Sequence, residues 1–265
     1  MMKPSFDESA VSETLGYILI FGIVVAGIAM VFLIGSQILA DTQESANFQG
    51  MQQGFEVISS DLRRTAFDES PIMTTRVKID YGTLAMMSSA RSDYRIVIRD
   101  SNNNELYDMP IGILEFDSSH YGKSISLENG ALVTTYENGS YGSIMAKEPR
   151  IFYSASNHTL LVSTINLEGD DISYSGGIDN IRSGFLNSNM QTNTAIQPPI
   201  WLCIRTNNTG AWDTFFTGTG TMPAAAKVLE IPSGSQWTNV SISDLMAPGT
   251  QLNLAVVTYN VSIEL

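Results

Sequence analysis

Few residues in this 265-residue chain are of types that do chemistry. It holds two histidines, His120 and His158, and one cysteine, Cys203. Two histidines exclude a histidine-rich metal centre, and neither stands in an H-E-x-x-H setting. His158, in "SNHTL", reads as a turn residue. Cys203, in the apolar run "IWLCIRT", reads as a buried, inert thiol, since a nucleophilic thiolate needs positive neighbours to lower its pKa. Being alone, it makes no intrachain disulfide. The chain has no G-x-S-x-G elbow, P-loop or dinucleotide fingerprint. Asp170 and Asp171 are adjacent acids of the kind used for glycoside cleavage, but in a polar stretch they read as solvated. "DSNNNE" sets Asp100, Asn102 and Asn104 at the alternate positions that open a calcium loop. Glu105 then stands where glycine is required and Ile111 where a carboxylate is required, so a polar hairpin turn accounts for the stretch better. The expectation is no enzyme, no cofactor and no resident metal.

The chemistry that remains is modification. Asn138, Asn157, Asn207, Asn239 and Asn260 each open an N-x-S/T acceptor. Asn138 and Asn157 fall in expected turns and are the best placed, whereas Asn260 falls within the last expected strand. Trp212, Phe215 and Phe216 of "TGAWDTFF" read either as a contact patch or as core.

The formal net charge is −13, with 15% charged and 43% hydrophobic residues. Charge is spread thinly and no basic block occurs, which excludes nucleic acid as a partner. The length suits one larger domain or two small ones.

The elements that carry these residues divide sharply near Pro71. From Leu15 to Ala40 no residue is charged, a run of about 26 residues that spans a hydrocarbon core with length to spare. A secretory signal has a shorter apolar region ending in a small-x-small cleavage site. Here the run ends "GSQILADTQ", with Ile38 where a small residue would be needed, so the run is expected to stay in the membrane. Lys3 precedes it and the next positive charges are Arg63 and Arg64, which favours an N-terminus inside and a large C-terminal part outside. Beyond the run, Phe48, Met51, Phe55, Ile58 and Leu62 recur at spacings of three and four. One helix is therefore expected from about Glu13 to about Thr65. Its seam suits packing either on the chain's own head or against neighbouring subunits.

"AVSETLGYILIFGIVVAGIAMVF" resembles the N-terminus of archaeal type IV pilins and pilin-like surface proteins. In those, a short leader and a small residue precede a Val-Ser-x-x-x-Gly stretch that opens a long apolar helix. The resemblance implies that Ala10 precedes the bond cut by a prepilin peptidase and that Val11 is the new N-terminus. Ser12 and Gly16 match the motif, and Glu13 stands where many pilins have proline. The leader departs from the family in carrying Asp7 and Glu8 beside the cut. "ISLENGALVTTYENGSYGSIMAKEP" resembles uncharacterised pilin-like proteins of methanogens and halophiles. A carboxylate at Glu13 is costly among apolar helices unless paired. In a filament, the new amino terminus of a neighbour would pair it; in a plain anchor it would sit solvated at the interface.

After Pro71 the pattern takes the period of two. "RVKIDYGTLAMM", "YRIVIRD", "RIFYSASNHTLLVSTINLEG", "AKVLEIPSG" and "LNLAVVTYNVSIEL" read as strands, and "SISLENGALVTTYENGSYG" as hairpins turning at Glu128–Gly130 and Glu137–Gly139. Residues 170–199 read as a polar, loop-rich stretch. The fold expected is α+β: a leader (1–10), an N-terminal helix (11–66, membrane-spanning over about 15–40 and amphipathic over 41–66) and a mostly antiparallel β head (72–265). The function expected is that of a pilin-like structural or accessory surface protein, exported and assembled through its apolar helix. Its partners would be the membrane, a prepilin peptidase and other pilin-like subunits or itself. It would reside in the cell membrane with the head outside, or in an extracellular filament. The alternative is a membrane-anchored binding ectodomain that does not polymerise.

Overall fold

The computed structural model describes residues 8–118, 122–136, 142–197, 199–219, 227–228, 236–242 and 249–265. A 60-residue helix, α1 (Glu8–Phe67), opens the chain. It stops where Asp68 and Ser70 direct their backbone N–H groups to the Arg64 carbonyl, Glu69 takes a left-handed φ of 52°, and Pro71 follows. The chain divides into two compact units, residues 1–47 and 48–265. The last twenty or so residues of α1 thus belong to the head's own unit.

The described strands of the head form three sheets. In chain order they are β1 (Met73–Ile79), β2 (Gly82–Met87), β3 (Arg95–Arg99), β4 (Glu105–Pro110), β5 (Ile113–Ser118), β6 (Lys123–Glu128), β7 (Ala131–Tyr136) and β8 (Ser143–Lys147). There follow β9 (Ile151–Ser154), β10 (Thr159–Glu168), β11 (Ile172–Tyr174), β12 (Gly177–Ile196), β13 (Trp201–Arg205), β14 (Lys227–Val228), β15 (Trp237–Ser241) and β16 (Leu252–Glu264). The sheets run β1-β12-β16-β10-β9, β11-β2-β5-β6-β7-β8 and β14-β15-β13-β3-β4. All described pairings are antiparallel except β10 with β16. This is the α+β architecture of a long N-terminal helix followed by a β head.

Among the described residues, two apolar cores hold the head. One gathers Ile96, Ile98, Leu202 and Ile204 of the third sheet with Leu160, Val162, Leu254 and Val256 of the first. Trp212, Phe215 and Phe216 complete it from a short helix, α2 (Thr209–Thr214), and the wider turn that continues it, so "TGAWDTFF" is core rather than contact patch. In the other, Phe48, Met51, Phe55, Ile58, Leu62 and Ala66 pack on Ile79, Leu84, Phe116, Ile125 and Ile165. The three-four seam therefore packs on the chain's own head. Each such side chain contributes about 1.5–3 kcal/mol on burial.

The 170–199 stretch is a correction. It is no loop: β12 takes up 20 of its residues as one strand. Ile181 is buried, but residues 186–195 are exposed on both faces, so this half carries no alternation from which a strand could be read.

Candidate functional site

From Leu15 to Leu39 the residues of α1 are exposed with one half-buried exception, Gly35. Leu15, Tyr17, Ile18, Phe21, Ile23, Ile28, Phe32 and Leu33 are each more than 60% exposed, and Phe32 reaches 74%. Leu, Ile and Val dominate this stretch and proline is absent, so the helix is apolar throughout and carries no strong breaker. This is the one helix among the described residues long and apolar enough to cross a membrane. Glycines 16, 22, 27 and 35 have open space where a side chain would stand. Ala10, Val11 and Glu13 lie on the helical backbone, with side chains outside the described set.

The other end of α1 is fastened to the head by polar contacts as well as apolar ones. Arg63 donates to the carbonyls of Gly130 (3.1 Å from Nη2) and Glu148. Thr75 Oγ1 donates to Asp61 Oδ2 at 2.6 Å, Thr65 and Ser183 share a buried hydroxyl contact at 3.0 Å, and Lys147 Nζ donates to the Glu56 carbonyl at 2.7 Å.

The Gly130 carbonyl belongs to the β6–β7 turn, where Asn129 (φ 51°) and Gly130 (φ 72°) form the two-residue hairpin read from "ENG". Asn129 also accepts from the Ile165 N–H at 2.8 Å and donates to the Ser163 carbonyl, which ties the turn to β10. The second "ENG" and Asn138 lie outside the described residues, as does His120.

Beside that turn stands a feature the sequence did not announce. Glu128, 2% exposed, accepts hydrogen bonds from Thr206 Oγ1 (2.6 Å), Trp212 Nε1 (3.0 Å), Ser126 Oγ (3.1 Å) and Asn208 Nδ2. Both carboxylate oxygens are taken by protein donors, which makes the cluster a tie between the β6 end and the β13–α2 connection. On β5, Glu115 has its pKa pushed up to about 7, first by burial and then by Asp117 and Glu128.

Where β13 ends, a cleft of about 300 Å³ opens, lined by Met87, Arg91, Tyr94, Arg205, Thr206 and Gln236 among others. Arg205 Nη2 meets Asp93 Oδ2 at 3.5 Å and Gln236 Oε1 at 3.3 Å, and Gln236 Nε2 donates to Asn207 Oδ1 at 2.8 Å. Burial raises the Tyr94 phenol, and the Glu128 charge raises it further. The cleft offers a polar molecule both donors and acceptors.

The remaining candidates resolve individually. Asp100 accepts from Asn104 Nδ2 at 3.0 Å and from the backbone N–H groups of Asn104 and Asn102 at 2.9 and 2.8 Å, which holds its carboxyl below the usual range; "DSNNNE" is the β3–β4 turn. Asp171 is no idle loop acid: it accepts from the Ser88 N–H (2.8 Å) and from Arg91 (3.2 Å). Cys203 is buried and its thiol pKa is raised by desolvation. His158 sits in the β9–β10 turn at φ 49°, with Nδ1 at 3.1 Å from the Tyr153 hydroxyl. No group of His, Cys, Asp and Glu that could hold a metal occurs among the described residues.

Asn157 and Asn207 are exposed in turns, and Asn239 is half-buried on β15. Asn260 sits mid-sheet on β16, where its Nδ2 donates to Asn187 Oδ1 at 2.7 Å and its Oδ1 accepts from Asn166 at 2.9 Å. That amide ladder across three strands leaves Asn260 the poorest acceptor.

The fold defines a class of chain in which an exposed apolar N-terminal helix continues into a β head. This chain belongs to the Family of unknown function (DUF7289), which matches residues 10–263. It is similar to an uncharacterized protein of Archaeoglobus fulgidus, 27% identical over 211 residues that cover 64% of this chain and 68% of that protein. No solved structure matches it.

Proposed function

We propose that the protein is a pilin-like structural or accessory surface protein, anchored by its apolar helix, processed between Ala10 and Val11, and assembled through that helix into a filament. The carrying observation is the exposed apolar surface of Leu15–Leu39. Each large side chain left in water forgoes about 1.5–3 kcal/mol, so the segment demands cover from lipid or from other helices. A pilin-like stem uses both covers in turn, lipid before assembly and neighbouring stems after it. The seam of Phe48–Ala66 serves the subunit itself, which leaves the segment before it for intersubunit packing. In this reading Glu13 pairs the amino terminus of a neighbour, and the head faces outward.

The test is Glu13→Ala, followed by fractionation of membranes from shed surface material. A pilin-like subunit keeps membrane insertion and loses recovery in the shed filament fraction. An unchanged distribution favours the second reading, a membrane-anchored ectodomain that binds through its head. The observation on its side is the cleft around Arg205 and Gln236.

A further inference from the structure

We infer that the outer edge of β12 is a pairing surface for the same strand of a second copy of this chain. β1 covers that edge only from Gly177 to Ser183. β16 pairs the opposite edge out to Ile196, and past Ser183 no described strand lies on the outer side. Residues 186–195 are exposed on both faces, including Leu186 at 47% and Met190 at 62%. Among the described residues, this half of the strand is thus paired along one edge alone and buries no side chain. Open edges are ordinarily blunted by charge, proline or β-bulges. Residues 183–197 contain no charge and no proline, and their register shifts fall outside the run Asn187–Asn193.

The occupant follows from the chemistry of the edge. Unpaired backbone N–H and C=O groups call for an extended strand. Two copies of a chain of net charge −13 repel wherever acids meet, but this edge is neutral, so they can approach here. A charged peptide would find no counter-charge. Register shifts interrupt the strand between Phe185 and Asn187 and between Asn193 and Ile196, which leaves Asn187–Asn193 as the regular run. An antiparallel two-fold pair centred on that run puts Met190 against its own copy, Asn189 against Gln191, Ser188 against Thr192 and Asn187 against Asn193. Each amide has both a donor and an acceptor, as in the Asn166–Asn260–Asn187 ladder of the same sheet.

This surface needs neither cleavage nor the stem, so it stands or falls apart from the filament reading. The experiment uses the full-length chain in detergent micelles, carrying Cys203→Ala and single cysteines at 190, 188, 192 or 157, under mild oxidation. Opposed Cα atoms in an antiparallel pair lie about 4.5–5.5 Å apart, within disulfide reach. Residues two places from the axis lie roughly 14 Å from their own copies, which is out of reach. The expected result is a disulfide dimer for Met190→Cys at least five times more abundant than for Ser188→Cys, Thr192→Cys or Asn157→Cys. Amide exchange over 187–193 in the unmodified chain should also slow as protein concentration rises. A folded Met190→Cys chain that stays monomeric, that dimerises no more than Asn157→Cys, or that is captured only by a different protein overturns the proposal.

Discussion

Glu128 shows how a single residue organises the head. Its carboxylate gathers donors from Thr206, Asn208 and Trp212, some eighty positions away in sequence, beside one from Ser126. Hydrogen bonds to a charged group are worth about 1.5–3 kcal/mol, and donors left buried without a partner cost more than the lost bond. Glu128→Ala should therefore lower the stability of the head by about 3 kcal/mol or more, read from the fluorescence of its tryptophans during urea unfolding, with Glu128→Gln losing less. A loss under 1 kcal/mol for the alanine variant would contradict this role. Glu115 sets a pH dependence of definite sign. Its pKa rises from 4.5 to about 7 in the folded head, by burial first and then by Asp117 and Glu128. Within that window the folded state holds a proton that the unfolded chain has released, so stability falls as pH rises from about 4.5 to about 7 and levels off above. Glu115→Gln should flatten that slope, and an unchanged profile would show that another group sets it. Asp171, held low first by the Ser88 backbone N–H, acts at the acid end with opposite sign: its contribution is lost as pH falls through its folded pKa. Glu128 was legible in sequence only as the first letter of a turn. Its partners Thr206, Asn208 and Trp212 are brought to it by tertiary structure and carry no common local signal.

Among the elements, α1 and β12 mark the two limits of legibility. The period of α1 beyond the apolar run predicted an amphipathic helix, and the same residues, Phe48 to Leu62, form the packed face. What the period left open was the partner, because a seam on one's own head and a seam on a neighbour obey the same spacing. Burial decides it: Phe55 is fully buried and Leu62 is 2% exposed against the head's own strands. Phe55→Ala should cost the head about 3–5 kcal/mol in the same unfolding measurement, while leaving membrane insertion through Leu15–Leu39 intact. A loss below 1 kcal/mol would mean that the seam is not part of the head's core. β12 was illegible for the converse reason. A strand shows its period only where one face is covered, and half of this one is covered on neither. Only the pairing with β16, set by a partner over sixty residues further on, makes it a strand. The short hairpin at Glu128–Gly130 was readable because Asn129 and Gly130 are residues that tolerate positive φ.

At the scale of the whole molecule, two kinds of surface meet different needs. The head closes two cores and satisfies a buried carboxylate, so it accounts for its own stability. The segment Leu15–Leu39 buries nothing in the single chain, and its function lies in what covers it. Lipid alone makes it an anchor; lipid followed by other stems makes it a pilin-like subunit. The division was legible in the sequence because composition changes so abruptly near residue 40, from an uncharged apolar run to a polar helix. The use proposed for the stem rests on the resemblance at Ala10–Gly16. The measurement that tests this most directly is the mass and N-terminal sequence of the mature protein, taken from native membranes and from shed surface material. A start at or beside Val11 is the result expected of prepilin-type processing and an assembly stem. An intact Met1 or Met2 start would leave a permanent anchor and contradict the filament reading, and a start near Asp41 would make the apolar run a discarded secretion signal.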